Sequence, residues 1–386
     1  MKKHLALLSA ALLLCAAGCS SQTTGLDFTI NGTAGNCADG TVLYLLGSGG
    51  ENGTEVDSAV VAGGKFAFKG TLQSPVEKVF LSTKTKLGYK DRNIAILYLE
   101  GGKMNLSISD LDSLANASLS GSATQSEMDE INALLKPYSV PLRKLNDEFY
   151  NVRAAGDKVR LAEIENEMDV LREGYSEIQG KWLEVHPLSY YAFETKSHGT
   201  GMMSLEQVDS LFNSIPEKFK GTSVYKSVEK ELGNLRKSAP GAEATDFADT
   251  DLNGNQFCLS SLKGHYIILD FWASWCGPCR ASMPHVLALY EKYKEQGLEV
   301  VCVADNDSQN DKWKAAVEED GTQAFHHVLR GLKKTADGNY DRSEDKSDSY
   351  AVHYLPTKFL IGPDFKIVGK FDDKELDAKL QEAFGF

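Results

Sequence analysis

The chain has 386 residues, of which 42% are hydrophobic and 25% are charged. This balance is typical of soluble globular protein rather than of a disordered chain or a membrane bundle, and the length predicts two or three domains. The formal net charge of −13 argues against nucleic acid as a partner and against docking on anionic lipid by charge alone.

The N-terminus predicts an export signal followed by a lipid anchor. After a short basic start, the apolar run at 5–17 is too short to span a bilayer but suits the core of a secretory signal. Small residues then precede Cys19 in a pattern that resembles the lipobox of bacterial lipoproteins. We therefore expect residues 1–18 to be removed, Cys19 to be lipidated and residues 19–25 to form a tether. An ordinary signal peptide with an incidental cysteine is the alternative.

Residues 26–122 are predicted to form a small antiparallel β-sandwich. Short apolar or alternating segments, separated by Gly, Asn or Asp, are typical of strands. The first four of these segments cover 28–33, 41–46, 65–70 and 76–82. Two more, at 95–100 and 104–109, flank a Gly-Gly pair and predict a β-hairpin.

Residues 123–238 form a predicted helical segment, because the apolar period changes from two to about 3.6. We expect several helices, since Pro137, Pro141 and Gly156 interrupt the pattern. An apolar stripe of this kind is more typical of a core or an interface than of a cofactor site. His186 and His198 stand at no ligand spacing and are expected to be structural.

From residue 239 to the end, the pattern predicts an α/β domain. Residues 266–272 are almost continuously apolar, as expected for a strand buried on both faces. The further predicted elements are a helix at 276–296, a buried strand at 298–304, a helix at 311–319, a hairpin of 358–361 with 366–369, and a helix at 374–384. The polar residues 335–349 are interpreted as a solvated surface loop.

Cys276 and Cys279 form a C-x-x-C pair between the buried strand and the helix, and this arrangement predicts a redox site. The helix N-terminus favours the thiolate of Cys276, so we expect it to attack a disulfide and Cys279 to resolve the mixed disulfide. Gly277 and Pro278 keep the loop between them tight. A purely structural disulfide or half of a zinc site is the alternative.

The other cysteines carry no comparable pattern. Cys302 and Cys258 lie in short apolar segments and are expected to be small buried hydrophobes, whereas Cys37 lies in a polar loop and could be exposed. Neither a second C-x-x-C nor a His pair stands at zinc-ligand spacing. We therefore expect no metal, and chemistry that uses cysteine sulfur without a bound cofactor.

The run from Trp275 to Cys279 resembles thioredoxin, and its setting resembles the TlpA/ResA-like branch of envelope thioredoxins over about 239–386. The order of lipobox, β domain and helical segment is similar to envelope lipoproteins that carry a DUF4369-type N-terminal domain. The resemblance implies a thioredoxin fold and a thiol–disulfide oxidoreductase acting on protein disulfides. It also implies re-reduction by a membrane electron donor.

The same resemblance implies roles for single residues. Asp270 matches the family's buried acid, which assists proton transfer at the resolving thiol, and Pro284 matches the proline that kinks the active-site helix. The family's glutamate three residues after the second cysteine is replaced by Ser282, so no role is carried over there. The expected substrate-binding residues are Trp275, Gly277, Pro278 and the cis-proline loop residues Leu355 and Pro356.

The predicted function is a membrane-tethered oxidoreductase of the bacterial envelope that reduces or exchanges protein disulfides. A peroxiredoxin is an alternative with the same fold, although its cysteine needs a Thr or Ser three residues earlier, where this chain has Ala273. A second alternative is a binding module, in which the sandwich and helices recruit a partner and the redox chemistry is secondary.

Overall fold

A computed structural model describes residues 26–47, 55–87, 91–335 and 340–385. The predicted signal peptide, the tether and Cys19 lie outside these residues. Along the described chain, a β-rich region is followed by a helical segment and then by a thioredoxin-like α/β domain, so the predicted fold class is confirmed. No helix in the described ranges is long and apolar enough to cross a bilayer.

The N-terminal region consists of two four-stranded sheets that enclose one apolar core. Their orders are β4-β1-β7-β8 and β3-β2-β5-β6. The strands are β1 (Asp27–Ala34), β2 (Val42–Gly47), β3 (Glu55–Val60), β4 (Lys65–Thr71), β5 (Val76–Ser82), β6 (Ala95–Glu100), β7 (Gly102–Ile108) and β8 (Ser118–Ser120). Alternate residues of β1 and β4, such as Ile30 and Phe68, are buried because each strand turns one side toward the opposite sheet.

The expected hairpin of β6 and β7 is wrong. The chain crosses from one sheet to the other at this point, and Gly102 has a φ of 116°, which favours glycine. Both strands carry apolar residues, such as Leu97 and Leu106, into the same core from opposite sides. β7 lies parallel to β1, so the sandwich is not wholly antiparallel; the intervening strands supply the long connection that a parallel pair needs.

The helical segment contains α1 (Ala123–Ala155), α2 (Lys158–Val185), α3 (Tyr190–Ser197), α4 (Leu205–Ser214) and α5 (Ser223–Lys237). α1 ends at Gly156, as expected, but it continues through Pro137 and Pro141, so the expected breaks there are wrong. The prolines remove two backbone donors, and the contacts of α1 with α2 support the helix across them. At Gly174 of α2, a Cβ would lie 2.3 Å from the ring of Tyr138, so glycine permits this approach.

The C-terminal domain is built on a five-stranded sheet with the order β13-β12-β11-β16-β17. Its elements are β9 (Ala248–Thr250), β10 (Gln256–Cys258), β11 (Tyr266–Trp272), α6 (Gly277–Tyr293), β12 (Leu298–Ala304), α7 (Asn310–Glu319), β13 (His326–Leu329), β14 (Lys333–Lys334), β15 (Tyr340–Asp341), α8 (Lys346–Ser349), β16 (Thr357–Ile361), β17 (Ile367–Phe371) and α9 (Asp373–Phe384). β11 is parallel to β12 and antiparallel to β16. Because apolar clusters cover both faces of β11, its carboxyl end is a rigid base for the residues that follow.

Candidate active site

Cys276 and Cys279 lie at the start of α6, directly after the carboxyl end of β11, and their sulfurs form a disulfide. Cys276 is the N-cap residue, and its Sγ accepts a hydrogen bond from the backbone N–H of Cys279 at 3.2 Å. Cys276 is 6% exposed and Cys279 is 1% exposed. Gly277 and Pro278 between them are exposed. Cys276 is therefore the more accessible residue of the pair, and it lies in the positive field of the helix N-terminus.

The segment before the cysteines is held by the turn that follows β12. The backbone N–H of Ser274 donates to Asn306 Oδ1 at 2.8 Å, and Asn306 Nδ2 donates to Ser274 Oγ at 2.7 Å. Trp275 Nε1 donates to the carbonyl of Asp305 at 3.1 Å, while the ring stays exposed. Sequence reasoning missed Asn306; the available signal was a polar pair directly after the second buried strand.

A cleft of about 380 Å³ opens beside Cys276. Trp275 lies on one side of it and Tyr354 and Leu355 on another, and Leu355 also packs against the core that holds both cysteines. The peptide bond between Leu355 and Pro356 is cis, as the resemblance implied. The structure thus brings the predicted substrate-binding residues Trp275 and Leu355 to one cleft with Cys276. Gly277, Pro278 and Pro356 adjoin these residues in the chain.

Ser347 lines this cleft, and residues 345–347 are buried, so a fully solvated loop is the wrong description of this segment. The Asp345 carboxylate accepts hydrogen bonds from Arg330 at 2.7 and 2.8 Å and from Arg342 at 3.1 Å. Burial raises the pKa of Asp345, but the Arg330 contacts outweigh it and leave that pKa below its ordinary value. Ion pairing therefore allows this polar segment to be buried, although its composition predicts a solvent-exposed loop.

Asp270 is buried in the middle of β11, opposite Cys302 of β12 and Lys358 of β16. Its Oδ2 lies 4.0 Å from Lys358 Nζ, and its Oδ1 has no hydrogen-bond partner among the described residues. Burial raises the pKa of Asp270 to about 7, against the opposing effect of Lys358. A carboxyl group with this pKa can take up and release a proton near neutral pH.

Lys358 connects this buried acid with the surface. Its Nζ lies 3.1 Å from Asp373 Oδ1 at the start of α9, and the Asp373 side chain is 41% exposed. Ser282 Oγ donates to both Asp373 oxygens at 2.8 and 3.0 Å, so Asp373 contacts this hydroxyl as well as Lys358. Sequence reasoning missed Lys358 and Asp373; a lysine inside an apolar strand two residues after Pro356 was the available signal. Pro284 lies inside α6.

The other described cysteines are free thiols. Cys302 is fully buried, as expected, and burial raises its pKa, with Asp270 adding to the shift. Cys258 is only half-buried, and its Sγ lies 3.1 Å from Ser260 Oγ and 3.4 Å from an Asp246 carboxylate oxygen, so the expectation of a buried hydrophobe is wrong. Cys37 is half-buried against the sandwich core. Within the described ranges, no cluster of three His, Cys, Asp or Glu residues could hold a metal ion.

A thioredoxin-like domain with a disulfide at the first turn of its helix after the central strand defines the class of thiol–disulfide oxidoreductases. Residues 240–370 match the AhpC/TSA family, and residues 28–128 match DUF4369, a domain of unknown function.

Similar proteins give a more particular assignment. The thiol-disulfide oxidoreductase ResA of Bacillus cereus is 34% identical over 154 residues, which cover 39% of this chain and 79% of that protein. ResA of Bacillus subtilis is 32% identical, over 38% of this chain and 74% of that protein. The chain therefore belongs to the family of ResA-like thiol–disulfide oxidoreductases.

Among solved structures, the thioredoxin domain of a thiol-disulfide oxidoreductase from Bacteroides vulgatus is 31% identical, covering 36% of this chain and 96% of that one with a TM-score of 0.31. A putative thiol:disulfide interchange protein DsbE from Chlorobium tepidum is 30% identical, covering 38% of this chain and 96% of that one with a TM-score of 0.31.

Proposed function

We propose that the protein reduces or exchanges disulfides of exported proteins through Cys276 and Cys279. The observation that carries this proposal is the disulfide at the start of α6, whose more accessible residue, Cys276, lines an open cleft. A cleft lined by Trp275, Tyr354 and Leu355 offers aromatic and apolar surface to a peptide chain that carries the target disulfide.

The exchange proceeds in two steps with the protein in its dithiol form. The Cys276 thiolate attacks one sulfur of the substrate disulfide, that bond breaks, and one substrate thiolate leaves. The Cys279 thiolate then attacks Cys276 Sγ, which releases the second substrate sulfur and closes the Cys276–Cys279 disulfide. Two electrons pass from the protein to the substrate, so an electron donor must return them before the next turnover.

Asp270 is proposed as the acceptor of the Cys279 proton in the second step. Forming a thiolate from a buried thiol has a high free-energy cost unless a nearby base takes the proton. Asp270 is buried on the strand that leads into the cysteine loop, and its pKa of about 7 allows it to accept and return a proton. The Lys358–Asp373 contact offers a route by which that proton reaches the surface.

The proposed location is the bacterial envelope, with the protein tethered by lipid at Cys19. The signal-like residues 1–18 and the small residues before Cys19 support this location. Labelling of cells with palmitate would give a labelled band that Cys19→Ala abolishes. Since the envelope is an oxidising compartment, a reductant there needs electrons passed across the membrane, so a membrane electron donor is part of the proposal.

Peroxide reduction finds no support in the residues next to the nucleophile. The position three residues before Cys276 is Ala273, a buried side chain without a hydroxyl to hold a peroxide. A binding module with secondary redox chemistry is distinguished by a variant in which both cysteines are serine. Such a variant would keep its biological activity if binding alone were the function.

Single cysteine variants test the proposal. The full chain, supplied with dithiothreitol, should reduce the disulfides of insulin, and Cys276→Ser should abolish this reduction. Cys279→Ser should instead accumulate mixed disulfides, because the first attack still occurs. Adducts on Cys276→Ser but not on Cys279→Ser would reverse the two roles, and an inactive wild-type chain would refute the function.

A further inference from the structure

The loop that forms one wall of the active-site cleft also contacts the helical segment. His353 lines the cleft beside Cys276 and, in addition, a second cleft between the helical segment and the C-terminal domain. Its Nε2 lies 2.8 Å from Oε1 of Glu231 on α5. The Glu231 side chain is 9% exposed and that of His353 is 35% exposed. This pair thus joins two predicted domains in a setting that is partly shielded from water.

Two further contacts support the same junction. A Cβ on Gly201, which follows α3, would lie 2.7 Å from Cγ of His353, so the absence of a side chain lets the backbone approach the imidazole. Lys230, the neighbour of Glu231 on α5, pairs with Asp348 of α8 at 2.5 Å. The helical segment is therefore fitted closely against the residues that precede the cis-proline loop.

Contacts inside the C-terminal domain hold the neighbours of His353. The backbone N–H of Val352 donates to the carbonyl of Ser347 at 2.8 Å, and the hydroxyl of Tyr354 lies 3.2 Å from Lys370 Nζ. The His353 side chain instead points to α5. The position of this part of the loop consequently depends on the helical segment as well as on the domain that carries the cysteines.

We propose that Glu231 positions residues 352–356 through His353, so that the helical segment sets the affinity of the active-site cleft for protein disulfides. This inference rests on the proposed function, because it takes these residues as a substrate-binding surface. Glu231 contacts His353 but does not line the active-site cleft, so it is a positioning residue rather than a catalytic one. Its effect falls on substrates that need the loop, and a small disulfide that reaches Cys276 directly does not need it.

The charges around His353 give the pair a pH dependence. The hydrogen bond that His353 donates to Glu231 raises the pKa of His353, and Asp348 adds to this shift. Burial and Lys370 oppose it. Lys230 and His198 also line the second cleft, the one between the helical segment and the C-terminal domain. Because this pKa is raised, the charged contact is complete below the ordinary histidine value of about 6.5 and is lost as the pH rises through the raised value.

Steady-state kinetics of the full chain can show whether Glu231 positions the loop at 352–356 or only stabilises the fold. The matched variants are Glu231→Gln and Glu229→Gln, which remove the same charge from α5 at a shielded and at an exposed position. The substrates are insulin and hydroxyethyl disulfide. For Glu231→Gln we expect a roughly three- to tenfold higher KM for insulin, the size expected of one partly exposed charged hydrogen bond. The kcat of Glu231→Gln for insulin should stay within about twofold of the wild type, and so should its kcat and KM for hydroxyethyl disulfide. Glu229→Gln should keep kcat and KM for both substrates within the same range.

A second variant and a pH series complete the test. Gly201→Ala should raise the insulin KM without any change in charge, since its methyl group displaces the imidazole. Between about pH 6 and pH 9, the ratio of the KM for insulin to that for hydroxyethyl disulfide should rise for the wild type and stay flat for Glu231→Gln. Unchanged insulin KM values for both Glu231→Gln and Gly201→Ala, with an active wild type, would overturn the positioning role and leave the proposed function intact.

Discussion

Asp270 is a carboxyl group whose burial disfavours the charged form that a base requires. Its pKa of about 7 in the folded chain, against 3.8 as an ordinary carboxyl, means that the folded state binds the extra proton between these two values. The folded chain therefore loses stability as the pH rises from about 4 to 7, and above 7 it carries the full cost of the buried charge. We propose that this cost is tolerated because Asp270 serves as a base at this position.

The first prediction follows from this loss of stability with rising pH. Asp270→Asn removes the ionisable group and keeps its shape, so it should stabilise the oxidised chain by up to about 4 kcal/mol at pH 8 and by little at pH 4.5. Urea unfolding at both pH values measures the difference. The same variant should slow insulin reduction. A fully active Asn variant at neutral pH would exclude Asp270 as the proton acceptor.

The second prediction uses the two charges that act on Asp270 with opposite signs. Lys358 lowers the pKa of Asp270 and Asp373 raises it. The acidic limb of the pH–rate profile should therefore move to higher pH in Lys358→Met and to lower pH in Asp373→Asn. The profile of kcat for insulin between pH 5 and 9 measures both shifts. Movement of both variants in the same direction would show that Asp270 does not set this limb.

At the scale of elements, a buried ion pair fixes the polar segment around α8 against the thioredoxin core. The Asp345 side chain is fully enclosed, whereas that of its partner Arg342 is 54% exposed and that of Arg330 is 17% exposed. Removing one partner of a buried pair costs more than the pair contributes, because the other charge stays buried without compensation. Arg330 is therefore the side chain on which this segment depends.

The third prediction concerns that segment. Arg330→Met should destabilise the C-terminal domain by about 3 kcal/mol and expose the chain near α8 to limited proteolysis, whereas Arg342→Met should change little. Asp345→Asn, placed in the Arg330→Met background, should recover part of the loss because the uncompensated charge is gone. Equal protease sensitivity of the two arginine variants would contradict this account.

The elements that sequence patterns predicted best are those with continuous apolar runs. β11 and β12 were predicted at their observed bounds because strands buried on both faces need no polar positions. β13 was missed, since two of its four residues are histidines and it carries no apolar run. The turn between β6 and β7 was misread because a Gly-Gly pair marks a change of direction without revealing which sheet follows.

For the site, sequence reasoning found the cysteine motif, the buried acid and the cis-proline loop, but it missed two charged residues that the fold brings near that acid. Cys276 and Cys279 belong to one motif, and Asp270 lies six residues before it. Lys358 comes from β16 and Asp373 from α9, so their meeting with Asp270 depends on the order of strands in the sheet. The roles of all these residues remain predictions for the experiments above.

At the scale of the whole molecule, the helical segment lies between the sandwich and the thioredoxin-like domain. The outer face of β6 packs on α1, where the backbone N–H of Tyr98 donates to Gln125 Oε1 at 2.9 Å, and Lys78 of β5 pairs with Glu194 of α3 at 3.1 Å. The pair of Glu231 and His353 marks the other side of the segment. The helical segment therefore contacts both the sandwich and the loop beside the active-site cleft.

The last prediction concerns the direction of electron flow. A strongly oxidising pair needs extra stabilisation of its reduced thiolate, whereas the dipeptide between these cysteines, Gly277-Pro278, carries no charge and is exposed. We therefore expect a reduction potential near the thioredoxin value of about −270 mV and far below the strong-oxidant value of about −120 mV. Equilibration of the full chain in dithiothreitol and glutathione redox buffers, followed by thiol alkylation, measures it. Pro278→His places a titratable cation in the loop between the two cysteines, where it favours a thiolate, so it should raise the potential. A wild-type potential above about −150 mV would make the protein an oxidant and reverse the proposed direction.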